Sequence, residues 1–384
     1  MAISPTKLIS GIVSAVMLLT PLTPINSYLN RKNSNKNAPE VKTVVVTAEE
    51  AKAKYDEIDE TLKTYLPGVV CWGDSLTYGA GGEGTSYPST VDKLIKENIT
   101  EKFDLKKIMN ASDESDVKWD EYSLRRTPVI NMGIGGERSD TICGRAGVIP
   151  MTLEEFTIPT GGGRIPVSFE VKDGQQAAPL LQGDGGVNPV VIGGVKGRLS
   201  FQWLDDGNAQ YYFSTTPDDY EETTFEKGTE VTCAAADKYL DYIQVIMMGG
   251  NGGHNSLDEL IEQHRTLLAR QQSNGDRYII VGYHGTLGAL TRYPDLEKRF
   301  KAEFGDHYVS LADYFFSEQA LNDADIEITD EIRAQLDAGK CPTVFLADAV
   351  HFNALGYELV GNLVYERMEE LGYFDEVKTA IGLK

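Results

Sequence analysis

Two short segments at opposite ends of this chain carry residues that together can perform acyl transfer. Ser75 lies in the turn Gly73-Asp74-Ser75-Leu76, directly after an apolar run, and Asp348 precedes His351 by three residues. A carboxylate at that spacing can fold back onto one imidazole nitrogen, which leaves the other free to take a proton from a serine hydroxyl. A serine at a strand end serves as a nucleophile where such a base reaches it. Taken singly, a Gly-Asp-Ser turn or a histidine ahead of a helix is also compatible with a structural role.

Two glycine-rich turns provide a second chemical feature. The segment 131–139 reads Asn-Met-Gly-Ile-Gly-Gly-Glu-Arg-Ser, and the segment 249–254 reads Gly-Gly-Asn-Gly-Gly-His. Each follows a short apolar run, so its backbone N–H groups or its Asn amide can face an oxyanion. Neither segment carries the Gly-Lys-Ser/Thr sequence or the glycine spacing of a phosphate or dinucleotide site. Ordinary tight turns remain the alternative for each.

The elements that position these residues follow an alternating pattern. Near-continuous apolar runs near residues 69–72, 129–131, 243–248, 278–282 and 308–311 are typical of strands buried on both faces of a parallel sheet. Helical periodicity lies between them, at 91–99, 257–271 and 295–304, and continues at 354–371; a capping box at Thr47 begins an earlier helix. The pattern predicts an α/β fold with a doubly wound parallel sheet of about five strands, in the flavodoxin-like three-layer arrangement.

One segment interrupts this alternation. Between about residues 148 and 236 the chain is rich in glycine and threonine, with period-two runs such as Val167–Val171 and Tyr211–Phe213. Turn pairs such as Asp173-Gly174 and Asp206-Gly207 separate these runs. We expect a small antiparallel β-domain over 148–236, inserted into an α/β domain formed by 46–147 and 237–384. The insert is expected either over the site as a lid or at the far edge as a binding module.

The order of the four chemical segments resembles that of the SGNH, or GDSL-type, hydrolase family. The resemblance covers about residues 66–145 and 241–372. It implies that Ser75 is the nucleophile, that His351 is the general base and that Asp348 orients it. It also implies an oxyanion hole formed by the Ser75 N–H, the Gly136 N–H and the Asn251 side chain. Here Gly252 follows Asn251, where the family commonly has Asp.

The expected function is hydrolysis of a carboxylic ester through an acyl-enzyme, without a metal or cofactor. An acylated extracellular glycan or another small ester is the expected substrate. Tyr78 and Phe352 are candidates to line its groove. A short-chain lipase or lysophospholipase is equally compatible with the triad. A non-catalytic surface protein that presents the β-insert is a further alternative.

Charge, cysteines and the N-terminal segment limit the other possibilities. The chain has 36 Lys and Arg against 58 Asp and Glu, a net charge of −22, which argues against a nucleic-acid partner. The four cysteines have no CxxC spacing. Residues 8–25 are apolar and uncharged, so we expect a signal peptide or membrane anchor over 1–29, followed by a linker over 30–45. A secreted or cell-surface location follows.

Overall fold

The fold consists of a parallel sheet with helices and a separate set of antiparallel strands. The computed structural model describes residues 43–66, 68–124, 128–172, 175–215, 220–272, 276–285 and 293–384. The strands are β1 (Val69–Gly73), β2 (Val129–Gly133), β3 (Met151–Leu153), β4 (Phe156–Ile158), β5 (Arg164–Val167), β6 (Val171–Lys172), β7 (Gln175–Gln176), β8 (Val190–Ile192), β9 (Val195–Trp203), β10 (Ala209–Thr215), β11 (Thr223–Phe225), β12 (Thr229–Thr232), β13 (Ile243–Met247), β14 (Tyr278–Val281) and β15 (Tyr308–Val309).

Helices surround the parallel sheet, and most are short. The α-helices are α1 (Ala48–Tyr65), α2 (Ser75–Tyr78), α3 (Tyr87–Asn98), α4 (Leu105–Ile108), α5 (Ser139–Arg145), α6 (Leu257–Ala269), α7 (Leu296–Phe304), α8 (Leu311–Phe315), α9 (Gln319–Asp323), α10 (Asp330–Asp337), α11 (Ala354–Glu370) and α12 (Asp375–Ala380). The capping box predicted at Thr47 is present: its side chain accepts from the Glu50 N–H, and the Glu50 carboxylate accepts from the Thr47 N–H.

The central sheet has the strand order β15-β14-β13-β1-β2, and every pair in it is parallel. The prediction of a doubly wound sheet of five strands is therefore confirmed. The chain runs outward from β1 to β2, then returns to the other side of β1 with β13. The strand order thus reverses between β1 and β13, which is where open α/β sheets form ligand sites.

Both faces of this sheet are covered by apolar side chains. On one face, Cys71 and Val245 join a buried cluster with residues of α1, α3 and α11. On the other face, Trp72 and Ile246 join a second buried cluster with residues of α5, α6 and α7. Alternate residues of one strand therefore point into two different cores, which explains why these strands are continuous apolar runs in the sequence.

The antiparallel strands between β2 and β13 form the predicted insert. Its main sheet has the order β3-β12-β8-β9-β10-β5. A separate apolar cluster that includes Leu153, Ile192 and Phe213 lies beneath it. The Gly193-Gly194 pair joins β8 to β9 with both residues at positive φ, as a tight two-residue hairpin requires. The single run predicted over Val167–Val171 is instead divided between β5 and β6, and the predicted Asp173-Gly174 turn lies outside the described residues.

Two of the remaining predictions concern the N-terminal segment and the cysteines. The predicted signal peptide or anchor and most of the linker lie outside the described residues. Within the described ranges, no helix combines the length and the hydropathy needed to cross a membrane.

All four cysteines are buried and unpaired, and burial raises the pKa of the Cys233 thiol to about 12. They therefore act as small core residues rather than as reactive thiols.

Gly361 allows α11 to approach α3, and its replacement tests this packing. A Cβ at Gly361 would lie 2.4 Å from Thr90 Cβ and 3.0 Å from the Tyr87 carbonyl oxygen. We expect Gly361→Val to lower the free energy of unfolding by about 1–3 kcal/mol because it overpacks this contact. Glu358→Val, at an exposed position of the same helix, should change it by less than about 0.5 kcal/mol. Urea unfolding of both variants checks this, and equal losses would contradict it.

Candidate active site

Ser75 is the first residue of α2, immediately beyond the end of β1. Asp74 caps this short helix by accepting a hydrogen bond from the Leu76 N–H at 3.0 Å. The turn must pass close to its neighbours, because a Cβ at Gly73 would lie 2.0 Å from Thr77 Oγ1 and 2.5 Å from the Met247 carbonyl oxygen. Only glycine fits at this position, where the strand ends and the chain turns into the helix.

Asp348 and His351 share one tight turn before α11. The Ala347 N–H donates to the His351 carbonyl at 2.8 Å and closes the turn. One carboxylate oxygen of Asp348 accepts from the N–H groups of Val350 and His351, at 2.7 and 2.8 Å. The other lies 2.8 Å from His351 Nδ1. The bond from the His351 side chain, followed by the two backbone bonds, lowers the pKa of Asp348 to about 2, so the carboxylate is ionised at neutral pH.

The structure brings Ser75 and His351 together although 276 residues separate them. Ser75 Oγ lies 2.9 Å from His351 Nε2, within hydrogen-bonding distance. The loop after α2 is held near the His351 turn, because the Tyr357 hydroxyl of α11 donates to the Ala80 carbonyl at 2.8 Å. Serine, imidazole and carboxylate therefore form one continuous hydrogen-bonded chain. Such a chain can remove the serine proton and stabilise the resulting imidazolium.

The three predicted oxyanion donors differ in whether they already have hydrogen-bond acceptors within the protein. Asn251 Nδ2 lies 3.1 Å from the Asp74 carboxylate and 3.2 Å from the Glu137 carbonyl oxygen. Its two hydrogens therefore have acceptors within the protein. Among the described residues, the backbone N–H groups of Ser75 and Gly136 have no acceptor. In this state the two backbone groups are the available donors, and Asn251 would have to exchange one bond to join them.

Asp74 connects the turn that carries Ser75 to the loop that carries Asn251. It is 3% exposed, and this burial raises the pKa of its carboxyl to about 6. The same loop is fixed from the other side, because the Gly250 N–H donates to the buried Tyr283 hydroxyl at 2.8 Å. The position of Asn251 thus depends on two buried polar side chains.

A buried ion pair supports the loop that carries Gly136. Arg145, at the end of α5, donates two hydrogen bonds to the Glu137 carboxylate, at 2.8 and 2.5 Å. It also donates to the Met132 carbonyl at 2.9 Å and to the Gly185 carbonyl of the insert at 2.5 Å. Side-chain exposure is 2% for Arg145 and 4% for Glu137. One guanidinium therefore ties together the end of β2, the Gly136 loop and the insert.

Other residues around the site received no role in the sequence analysis. His284, 3% exposed, lies with Nε2 2.8 Å from the Val350 carbonyl within the triad turn, and burial lowers its pKa to about 4. Asn131 on β2 donates to the Thr77 carbonyl of α2 at 2.9 Å. Both hold loops of the candidate site through main-chain carbonyls. Such contacts leave no spacing pattern in the sequence by which they could have been found.

The two predicted groove residues have different environments. Tyr78 is 63% exposed at the end of α2 and stays a candidate. Phe352 is 1% exposed and packs against His284, Phe315 and Tyr357, so it is a core residue and does not line an open groove. Its apolar ring is buried because the turn that exposes His351 directs the next side chain inward.

Among the described side chains, no group of three or more His, Cys, Asp or Glu could hold a metal ion.

Comparison with known proteins found similarity to solved structures and none to a sequence family. No protein-family model matches this chain, and no curated protein sequence does. A solved structure described as "Peptidoglycan O-acetylesterase in action, 5 min" has a TM-score of 0.28 and 11% identity to this chain, with 84% of this chain and 97% of that chain covered. A similarity at this level carries no functional argument, so the function must be argued from the site itself.

Removal of one partner of the Arg145–Glu137 pair is expected to destabilise the fold strongly. Arg145→Met would leave the Glu137 carboxylate buried without its partner, and we expect a loss of about 3–5 kcal/mol in the free energy of unfolding. Arg145→Met combined with Glu137→Gln should recover part of this loss, because no unpaired charge then remains buried. Chemical denaturation of the two variants measures the difference. A double variant less stable than the single one would refute this account of the pair.

The buried Asp74 carboxyl should give stability a pH dependence. Because its pKa is raised from 3.8 to about 6 on folding, the folded state binds the proton more tightly. Its stabilising contribution is therefore full below about pH 4 and is lost as the pH rises through about 6, by on the order of 3 kcal/mol. Unfolding of the wild type and of Asp74→Asn should be compared from pH 4 to 8. Parallel curves for the two proteins would rule out this contribution.

Proposed function

We propose that this protein is a carboxylic ester hydrolase that acts through an acyl-enzyme on Ser75. The observation that carries the proposal is the continuous chain of hydrogen bonds from Ser75 Oγ through His351 to Asp348. Each member has the chemistry its position requires: a hydroxyl on a turn beyond a strand, an imidazole in contact with it, and an ionised carboxylate behind the imidazole. The free N–H groups of Ser75 and Gly136 add donors for a developing oxyanion.

The proposed reaction has two steps. Ser75 Oγ attacks the ester carbonyl carbon while His351 Nε2 takes its proton, and the carbonyl oxygen becomes an oxyanion. Collapse of this intermediate breaks the bond to the alcohol, which leaves with the proton from His351. Water then attacks the acyl group and gives its proton to His351. The carboxylic acid is released, and the proton returns to Ser75.

The substrate class and the location are part of the same proposal. An acylated extracellular glycan fits the apolar leader predicted over 8–25 and the inserted β-domain, which together suggest a protein that acts outside the cytoplasm. We take 148–236 as the inserted domain and 46–147 with 237–384 as the catalytic domain. The loop around Gln182 belongs to the insert, and Gln182 Cγ would lie 3.9 Å from a Cβ on Gly136. This contact favours an insert that borders the catalytic site.

Hydrolysis of p-nitrophenyl acetate tests the proposed activity. We expect the full chain to release p-nitrophenol, and we expect Ser75→Ala to lower kcat by about 10³-fold or more because the nucleophile is lost. Ser200→Ala, at an exposed position of β9 in the insert, serves as the matched control and should leave the rate unchanged.

Thermal unfolding of the three proteins shows whether each is folded at the assay temperature. Equal rates for folded wild type and folded Ser75→Ala would contradict nucleophilic catalysis by Ser75. A folded wild type without turnover of this ester or of longer-chain p-nitrophenyl esters would favour the alternative of a non-catalytic binding protein.

A further inference from the structure

Two consecutive buried residues, Tyr283 and His284, follow β14 and contact two different parts of the candidate site. Their exposed fractions are 5% and 3%. Tyr283 binds the loop that carries Asn251, and His284 binds the turn that carries His351. Since β14 is the parallel neighbour of β13, the segments that follow the two strands leave the sheet at the same edge. One pair of residues therefore joins two segments whose side chains have different roles in the proposed reaction.

The Tyr283 side chain holds the main chain directly before Asn251. Its hydroxyl oxygen accepts a hydrogen bond from the Gly250 N–H at 2.8 Å. Its ring also lies against Gly250, because a Cβ at that residue would be 3.0 Å from the tyrosine Cε1 and 3.4 Å from its Cζ. Without the hydroxyl oxygen, the Gly250 N–H would lose its acceptor, and the loop would shift to satisfy it elsewhere. The position of the Asn251 amide therefore depends on one phenol oxygen.

The His284 side chain holds the main chain on both sides of His351. Its Nε2 lies 2.8 Å from the carbonyl oxygen of Val350, the residue before His351. Its ring centroid lies 4.0 Å from that of Phe352, the residue after His351. A carbonyl oxygen only accepts hydrogen bonds, so Nε2 of His284 carries the hydrogen. Burial lowers the pKa of this imidazole to about 4, so it is neutral at pH 7 and does not repel a positive charge on His351.

The turn held by His284 also orients the His351 imidazole. The Val350 N–H donates to the Asp348 carboxylate at 2.7 Å, while the carbonyl of the same residue faces His284. Val350 is thus fixed through both its N–H and its carbonyl group. A displacement of Val350 would alter the 2.8 Å contact between Asp348 and His351 and the 2.9 Å contact between His351 and Ser75.

We propose that Tyr283 and His284 are positioning residues, which together fix the Asn251 amide relative to the His351 imidazole. In the proposed reaction the imidazole takes the Ser75 proton, and the amide, after exchanging one of its present hydrogen bonds, stabilises the oxyanion. Both groups must be placed around the same carbonyl carbon, and a misplacement of about 1 Å can lower a rate by about 10²-fold. The inference rests on the proposed esterase function. It gives the end of β14 a role in a reaction to which it contributes no triad residue.

Tyr283→Phe tests the first contact, because it removes one oxygen atom and keeps the ring. With p-nitrophenyl acetate and the full-length protein, we expect kcat and kcat/KM to fall equally, by about 10–100-fold, since the oxyanion donor acts in the transition state. Tyr373→Phe is the matched control and should keep the wild-type values. The Tyr373 hydroxyl is also buried and accepts from a backbone N–H, that of Tyr278 at 2.9 Å, but at the beginning of β14.

His284→Phe tests the second contact, because it keeps an aromatic ring and removes the donor to the Val350 carbonyl. We expect kcat/KM to fall by about 10–100-fold. We also expect the apparent pKa of its pH profile to fall, because a displaced Asp348 stabilises the protonated His351 less. His284→Gln, whose Nε2 donor has a similar reach, should regain most of the rate and the wild-type profile.

His264→Phe is the matched control for this exchange. The His264 side chain is 1% exposed, and its Nδ1 lies 2.7 Å from the Leu260 carbonyl oxygen within α6. This variant should keep the wild-type rate and pH profile. All rates are expressed per active site, counted by stoichiometric reaction of Ser75 with a fluorophosphonate, so a smaller folded fraction cannot imitate lost positioning. If thermal unfolding shows that His284→Phe is not folded, His284→Asn, whose amide is too short to reach the carbonyl, replaces it.

The outcomes separate this positioning role from the proposed function. A wild-type rate per active site in Tyr283→Phe or in the His284 variant that lacks the donor would overturn the proposal. Equal losses in the control variants would also overturn it, as would an unshifted pH profile in that His284 variant or no recovery in His284→Gln. In each of these cases the wild type still hydrolyses the ester, and the esterase function stands. A folded wild type without turnover of any p-nitrophenyl ester would overturn the esterase function, and the positioning role with it.

Discussion

The candidate site depends on the register of three parallel strands, which end beside one another in the sheet. Gly73 at the end of β1 lies opposite Gly133 on β2 and Met247 on β13. The segments that follow these three residues must therefore emerge at the same edge of the sheet, which is how Ser75, Gly136 and Asn251 come to be neighbours. A shift of two residues in any one strand would preserve its buried faces and move its loop by almost 7 Å. Packing alone would tolerate such a shift, but the site would not.

Polar side chains buried at that edge fix the register more sharply than the apolar core does. Asp74 accepts from both the Leu76 N–H of the Ser75 turn and Asn251, and Arg145 joins the ends of β2 and α5 to the insert. Buried charges tolerate few arrangements, because each one loses its hydration and only correctly placed hydrogen-bond partners compensate for that loss. The insert takes part in this network through the Gly185 carbonyl. It is therefore a structural component of the site and more than a module attached at a distance.

Much of the fold could be predicted from the sequence because the relevant signals are local. The five strands of the sheet are short apolar runs, of which all but the edge strand β2 are largely buried on both faces, and the capping box at Thr47 lies within four residues. The Asp348–His351 contact was predictable for the same reason, since one turn contains both residues. The contact of Ser75 with His351 was suggested only by the order of the segments along the chain.

The remaining features depend on partners that are distant in sequence. Phe352 was expected at a groove, but the sequence does not indicate whether an aromatic side chain in a turn faces the core or the solvent. The short helices α8, α9 and α10 lack the several turns of periodicity by which α11 was recognised. The bonds of Asn251 to Asp74 and to the Glu137 carbonyl, and the contacts of Arg145 with two carbonyls, involve no regular spacing. A sequence can show that such residues are polar, but their partners are set by the tertiary fold.

The position of the insert also governs the order in which the chain can fold. The indole of Trp72 on β1 donates to the Gln244 side chain on β13, 172 residues later, so the middle of the sheet cannot close until the ribosome has produced the whole insert. Until then β1 has one side without a neighbour, and such an edge is prone to pair with other chains. The insert has its own apolar core, and its collapse shortens the loop that must be closed. If the insert collapses before β13 is synthesised, the entropic cost of pairing β1 with β13 is lower.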